Sequence, residues 1–162
     1  MGSADLSPQP ANRMRSTAAD LVAVSDDVID GAQLMEFVED PTCGAVVLFL
    51  GTVRDHSPGG ITDVSHLEYE AYGGVVEAKI AEIIAEARNE WPVVKVAVVH
   101  RTGELAVGET SVGVAVSSPH RRDAFAAGRY LIDELKTRAP IWKKEHWPGG
   151  AEWVREDQRE HR

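Results

Sequence analysis

Apolar and polar positions follow two rhythms along this chain, and the changes of rhythm divide it into elements. The segment 25–40, SDDVIDGAQLMEFVED, opens on Ser25 and acidic residues, then spaces Leu34, Phe37 and Val38 as a short helix does until Pro41 stops it. GAVVLFLGTVR follows, too short and too β-branched for a helix, so 45–52 reads as a central strand. Residues 55–63, DHSPGGITD, hold Pro58, Gly59 and Gly60 without any period, which marks a mobile loop beyond the strand end, where sites often lie. VSHLEYEAY then alternates, with Leu67, Tyr69 and Ala71 on its more apolar side, as a strand with one wet face does.

The next segment changes to the helical period. Val76, Ile80, Ile83, Ile84 and Ala87 form one stripe, which predicts a helix packed on a sheet and ended before Pro92. VVKVAVVHR is a buried strand that delivers His100 and Arg101, and TSVGVAVSS over 110–117 is another beyond the TGEL turn. In SSPHRRDAFAAGRYLIDELKTRAP, Ser118 is placed to cap a helix with Pro119 in its first turn. Phe125, Gly128, Ile132 and Leu135 are then expected to face the core, and Pro140 stops the helix just after Lys136. The expected class is α+β, a two-layer domain with helices on a mixed or antiparallel sheet. A single domain over 21–155 is expected between a flexible tail, 1–20, and a polar end, 156–162.

Composition narrows the function classes. The single cysteine, Cys43, excludes an intrachain disulfide and any CxxC metal or redox motif, and the histidines show no HExxH spacing, so no metal is expected. The apolar runs fall far short of the roughly 20 residues that span a bilayer, and the N-terminus lacks a secretory core, so a cytoplasmic protein without membrane contact is expected. A formal net charge of -9 argues against nucleic-acid binding. The charge is uneven, however: 119–147 carries +3 and the remainder -12, which draws an anion towards one segment.

Within that frame several cations fall at element ends. Arg54 sits at a strand end with His56 beyond it, Arg101 ends another strand, and His120 and Arg121 open the last helix, where free amides and the helix dipole favour an anion. Lys136 precedes a helix break near Arg138 and Lys143, a setting for an acid or a nucleophile, although lysine at a helix C-terminus is also what the dipole favours. Trp142 and Trp147 bracket Lys143, Lys144, Glu145 and His146; they stack on a flat heterocycle or pack on the core. There is no dinucleotide or P-loop spacing, no nucleophile elbow and no carboxylate pair. The residues by themselves define an anion-binding α+β domain with a candidate reactive lysine.

GTVR at 51–54, LEYEAY at 67–72, EARNEWP at 86–92, HRTGEL at 100–105, SSPHR at 117–121 and KTRAPIWKKE at 136–145 together resemble the large, catalytic subunit of molybdopterin synthase, over about residues 25–153. The resemblance implies a hammerhead-like α+β fold and a sulfurtransferase without a cofactor. In that family two sulfurs pass to cyclic pyranopterin monophosphate and form a dithiolene. Each arrives as the thiocarboxylate on the Gly-Gly tail of a small ubiquitin-like partner subunit, and the catalytic subunits form the homodimeric centre of a heterotetramer. Matched by position, Lys136 and Lys143 are the implied catalytic residues. Thr52, Val53, Arg54, His120, Arg121, Lys144 and Glu145 join them as implied substrate-binding residues, with His120, Arg121 and Arg54 on the phosphate. Thr52 stands where many relatives have lysine, so a charge contributed there is missing. A non-catalytic adaptor for a ubiquitin-like tail is the competing expectation, but it gives no reason for these cations to converge.

Overall fold

In the computed structural model, residues 13–57 and 60–155 are described. The ends 1–12 and 156–162, expected as tails, and Pro58 and Gly59 of the expected mobile loop lie outside the described residues. The chain begins with β1 (Arg13–Ser16) and β2 (Asp20–Ser25), an antiparallel pair. Part of the stretch expected as a tail up to residue 20 is therefore a strand. All four β1 side chains are exposed, so the backbone ladder to β2 holds it and no hydrophobic pattern announces it.

Helix α1 (Gly31–Val38) starts later than Ser25, which ends β2 instead; Asp30 caps the helix by accepting a hydrogen bond from the Ala32 N–H at 2.9 Å. After β3 (Ala45–Thr52) and β4 (His66–Ala71) comes α2 (Val75–Glu90), whose expected stripe is buried in full. Gly74 precedes α2 with φ of 84°, a conformation that favours glycine, and its N–H donates to Glu77 Oε2 at 2.7 Å. Then follow β5 (Val96–Arg101), β6 (Gly103–Ala106), β7 (Thr110–Ser118), α3 (Arg121–Arg138), β8 (Ile141–Trp147) and β9 (Gly150–Arg155).

The strands form two sheets. Five strands run in the order β1-β2-β5-β7-β3, antiparallel except for the β2–β5 pair; four antiparallel strands run β6-β4-β8-β9. Alternation along β2, β5 and β7 gives the larger sheet two apolar faces. Val22, Val96, Val98, Val114 and Val116 join α2, α3 and the inner side of the smaller sheet in the main core. Ala97, Ala115 and Leu48 receive Leu34 and Val38 of α1 on the opposite face. The α+β class stands, with α1 covering the side of the sheet that the other two helices leave open.

Two details of α3 differ from expectation. Ser118 does not cap the helix: it ends β7 and its hydroxyl donates to the Pro92 carbonyl at 3.0 Å, while His120 is the extended residue before the first turn. Phe125 is 66% exposed, because the buried stripe runs through Ala124, Ala127, Gly128, Leu131, Ile132 and Leu135, where small residues let the helix lie close to the sheet. A Cβ on Gly128 would stand 3.3 Å from Val47 Cγ1, which measures that closeness.

Candidate functional site

A cavity of about 260 Å³ opens where the two sheets meet the end of α3. One wall is the end of β3, Phe49 to Thr52, with Ser111 and Val112 of the neighbouring β7. The ladder shifts register between Gly51 and Thr52, so the chain turns out of the sheet there and Arg54 and His56 reach the rim. The opposite wall is the smaller sheet. Lys143 stands across from Tyr69, and Glu145 across from Leu67, on one face of the β8–β4 ladder. Lys136, in the last turn of α3, closes the cavity from the third side.

Polar groups on these walls are largely withdrawn from solvent. The Lys143 side chain is 16% exposed and that of Glu145 4%, with Nζ and Oε1 3.9 Å apart. Tyr69 is buried, and the His100 ring meets it edge-on at 5.1 Å between centroids. His100 Nδ1 lies 2.7 Å from the Arg101 carbonyl oxygen; a carbonyl accepts only, so the proton is on Nδ1. The rim is wetter: His56 Nδ1 bonds Asp55 Oδ1 at 2.8 Å, and both side chains are largely exposed. Two lysines and an arginine around one buried carboxylate make a cationic pocket, suited to an anionic or electron-rich ligand and to proton transfer.

The expected site residues do not all reach this pocket. Thr52, Arg54, Lys136, Lys143 and Glu145 do. Lys144 does not, since successive residues of a strand face opposite sides, and its Nζ lies over the Trp153 ring, 5.3 Å from the centroid. Val53 is buried in the main core; its N–H donates to the Glu109 carbonyl and its own carbonyl accepts from Gly108. It anchors the segment before Arg54.

His120 and Arg121 sit at the other end of α3, in a separate depression of about 390 Å³ shared with Gly44, Pro119 and Arg122. The fifteen positions from Arg121 to Lys136 place them about 22 Å apart along the helix axis.

Two further cations of the sequence reading are structural. Arg138 grips Glu82, Glu86 and Glu134, tying α3 to α2; its hydrogen bond and that of Tyr130 hold the Glu86 carboxyl down at about 2. Arg101 is buried against Glu109 at 3.3 Å. Tyr69 and Ser111 are pocket residues that sequence reasoning passed over. The alternation of LEYEAY put Tyr69 on the inner face, but nothing in the sequence showed that this face ends at a cavity. Among the described residues no group of three or more His, Cys, Asp or Glu could hold a metal ion, and no helix is long and apolar enough to cross a membrane.

Comparison with known proteins places this arrangement in context. Residues 24–138 match the family model described as MoaE protein. A molybdopterin synthase catalytic subunit from Staphylococcus carnosus is 48% identical over 126 residues, covering 78% of this chain and 83% of the relative. One from Escherichia coli K12 is 51% identical over 111 residues, 68% of this chain and 73% of that protein. Among solved structures, molybdopterin synthase from Staphylococcus aureus superposes with a TM-score of 0.77 at 38% identity, covering 86% of this chain and 98% of the other.

Proposed function

The chain belongs to the MoaE protein family, and from that premise we propose that it is the catalytic subunit of a molybdopterin synthase. It transfers sulfur from the thiocarboxylated tail of a small carrier subunit to cyclic pyranopterin monophosphate, in the cytoplasm. The observation that carries this reading is the convergence of Lys136, Lys143, Arg54 and Glu145 on one pocket from three separate elements. An adaptor for a protein tail needs a groove, not half-buried lysines and a buried carboxylate around a cavity.

The chemistry follows from the pocket. The carrier's extended tail enters between β3 and the smaller sheet and places its terminal sulfur beside the pterin side chain; tethering replaces a diffusional encounter. Arg54 and the lysines stabilise the anionic sulfur, the phosphate and the departing oxygen. Lys136 meets the reacting acyl–sulfur group as proton donor or as covalent acceptor. Intact mass separates the two roles, because an acylated chain gains the mass of the carrier. Glu145 holds Lys143 in place from 3.9 Å.

His120 and Arg121 enter this scheme through a second copy of the chain. β3 is the last strand of its sheet, and Val46, Phe49 and Leu50 on it are exposed, which is unusual for an edge that stays uncovered. Its first residues lie beside the His120–Arg121 depression, where Gly44 N–H donates to the Pro119 carbonyl, and its last lie at the lysine cavity. Two β3 strands paired antiparallel about a two-fold axis set the start of one against the end of the other. Each cavity then gains the phosphate-binding helix start of its neighbour.

The test is mass spectrometry of the oxidised pterin after mixing the chain, a thiocarboxylated carrier and cyclic pyranopterin monophosphate. A product with two sulfurs is expected, and a stable carrier complex that yields none refutes the assignment. For the shared site, Lys136→Ala and Arg121→Ala proteins are each expected to be inactive. Unfolded and refolded together, they regain about a quarter of parental activity, since half of a random dimer population carries one intact site of two. Recovery of none places both residues in one chain's site.

A further inference from the structure

The sulfur-transfer reading leaves one step without a residue. Attack of the thiocarboxylate sulfur on the pterin carbon forms a C–S bond while the carrier's glycyl carbonyl is still attached to that sulfur, so the two are joined as a thioester. Release needs water. Its oxygen adds to the carbonyl carbon, the C–S bond breaks with its electron pair on sulfur, and the carrier leaves as a carboxylate. A base must take the water proton, and the scheme above uses Arg54 and the pocket's lysines as cations that stabilise charge, not as bases.

We propose that His56, oriented by Asp55, is the general base for this hydrolysis; the inference rests on the sulfurtransferase reading of the same cavity. His56 is a lining residue of the cavity that holds Lys136 and Lys143. Its Nδ1 lies 2.8 Å from Asp55 Oδ1, and a carboxylate accepts only, so Nδ1 carries the proton and the Nε2 lone pair is left to accept another. This is the base-and-orienter arrangement of hydrolytic sites, here at the rim where water enters.

An exposed pair of sequence neighbours is often a solvated contact of little consequence. Three features set this one apart. First, the backbone that carries it is pinned: Val64 N–H donates to the Asp55 carbonyl at 2.8 Å, and Ser57 N–H to the Ile61 carbonyl at 2.9 Å. Second, Val53 and Ser57 on either side are buried, so the segment is fixed at both ends. Third, His56 and Lys136 share a cavity of about 260 Å³, small enough that a water beside the imidazole is near a carbonyl held by the lysine.

During release His56 Nε2 takes a proton from water as the C–O bond forms. The imidazolium, stabilised by Asp55, returns it to the pterin sulfur as the C–S bond breaks. The new carboxyl group gives its remaining proton to solvent as the carrier departs as a carboxylate, so atoms and charge balance with water as the added reactant, and the base is regenerated for the second sulfur.

The experiment follows the full chain, thiocarboxylated carrier and cyclic pyranopterin monophosphate through a single turnover, with acid quench and intact mass spectrometry. In His56→Ala the carrier–pterin thioester accumulates and its hydrolysis slows by about 100-fold or more, the range of a lost general base, while the rate at which the thioester forms is unchanged. Added imidazole restores the rate, and Asp55→Asn slows the same step. Hydrolysis at the parental rate in His56→Ala overturns the proposal. So does a slowed reaction with neither thioester accumulation nor imidazole rescue, which marks a structural role. If the parent chain forms no sulfurated pterin, the sulfurtransferase reading fails and this inference with it; if the parent turns over and only the His56 result is negative, this inference alone fails.

Discussion

Removing the Glu145 charge tests the pocket's electrostatics directly. Its carboxylate is buried, and the Lys143 ammonium lies 3.9 Å away with 16% of its side chain exposed. At that separation and an effective dielectric constant of about 20, the gross attraction is about 4 kcal/mol. The net effect of Glu145→Gln is smaller, since the cavity admits water and the variant amide still hydrogen-bonds; a loss of about 2 to 3 kcal/mol lies between the exposed and fully buried limits. Urea unfolding is the assay, read as a shift in midpoint at constant slope. A double-mutant cycle with Lys143→Met isolates the pair: the double variant is expected to recover part of the loss, with a coupling of about 1 kcal/mol or more. Additive losses would refute the reasoning and leave the two groups screened from each other by cavity water.

Three further outcomes follow from the packing. The Glu86 carboxyl, held at about 2 by Arg138 and Tyr130 against an ordinary 4.5, contributes stability that is fully present above pH 4.5 and is lost as pH falls through 2; the difference in stability between parent and Glu86→Gln is therefore expected to close across that window in urea titrations at stepped pH. Leu131→Ala is expected to cost about 2 to 5 kcal/mol, whereas Phe125→Ser on the exposed flank stays within about 0.5 kcal/mol, a contrast that circular-dichroism melts resolve. Lys144→Ala, on the far face of β8, is expected to form the two-sulfur product at the parental rate while Lys136→Ala does not, and equal losses in both would contradict the facing of that strand.

Periodicity and motif carried much of the fold. The α2 stripe, the β3, β5 and β7 runs and the Pro140 stop are local signals, because side-chain burial repeats every 3.6 or two residues, and the structure contains them with small shifts at the ends. Elements without a clean apolar period were less legible. β1 has four exposed side chains and is held by its backbone ladder, and IWKKEHW conceals β8 because each of its faces mixes apolar with charged or polar residues. The KTRAPIWKKE run singled out Lys136 and Lys143, and the alternation of β8 then separates Lys143 and Glu145 from Lys144.

The sequence by itself determined the helical and strand rhythms, the cationic segment in an acidic chain and the motifs that name the family. Only the tertiary structure decided which cations share a pocket. Arg138, two residues from Lys136, turns to the acids of α2, while Lys143, seven residues away, comes back beside Lys136 on a strand of the second sheet. His120 and Arg121 stand about 22 Å away along a rigid rod of 18 residues. Neighbours along a helix diverge by 100° per residue, and strands bring together segments remote in the chain, so proximity in sequence ranks these cations differently from proximity in space.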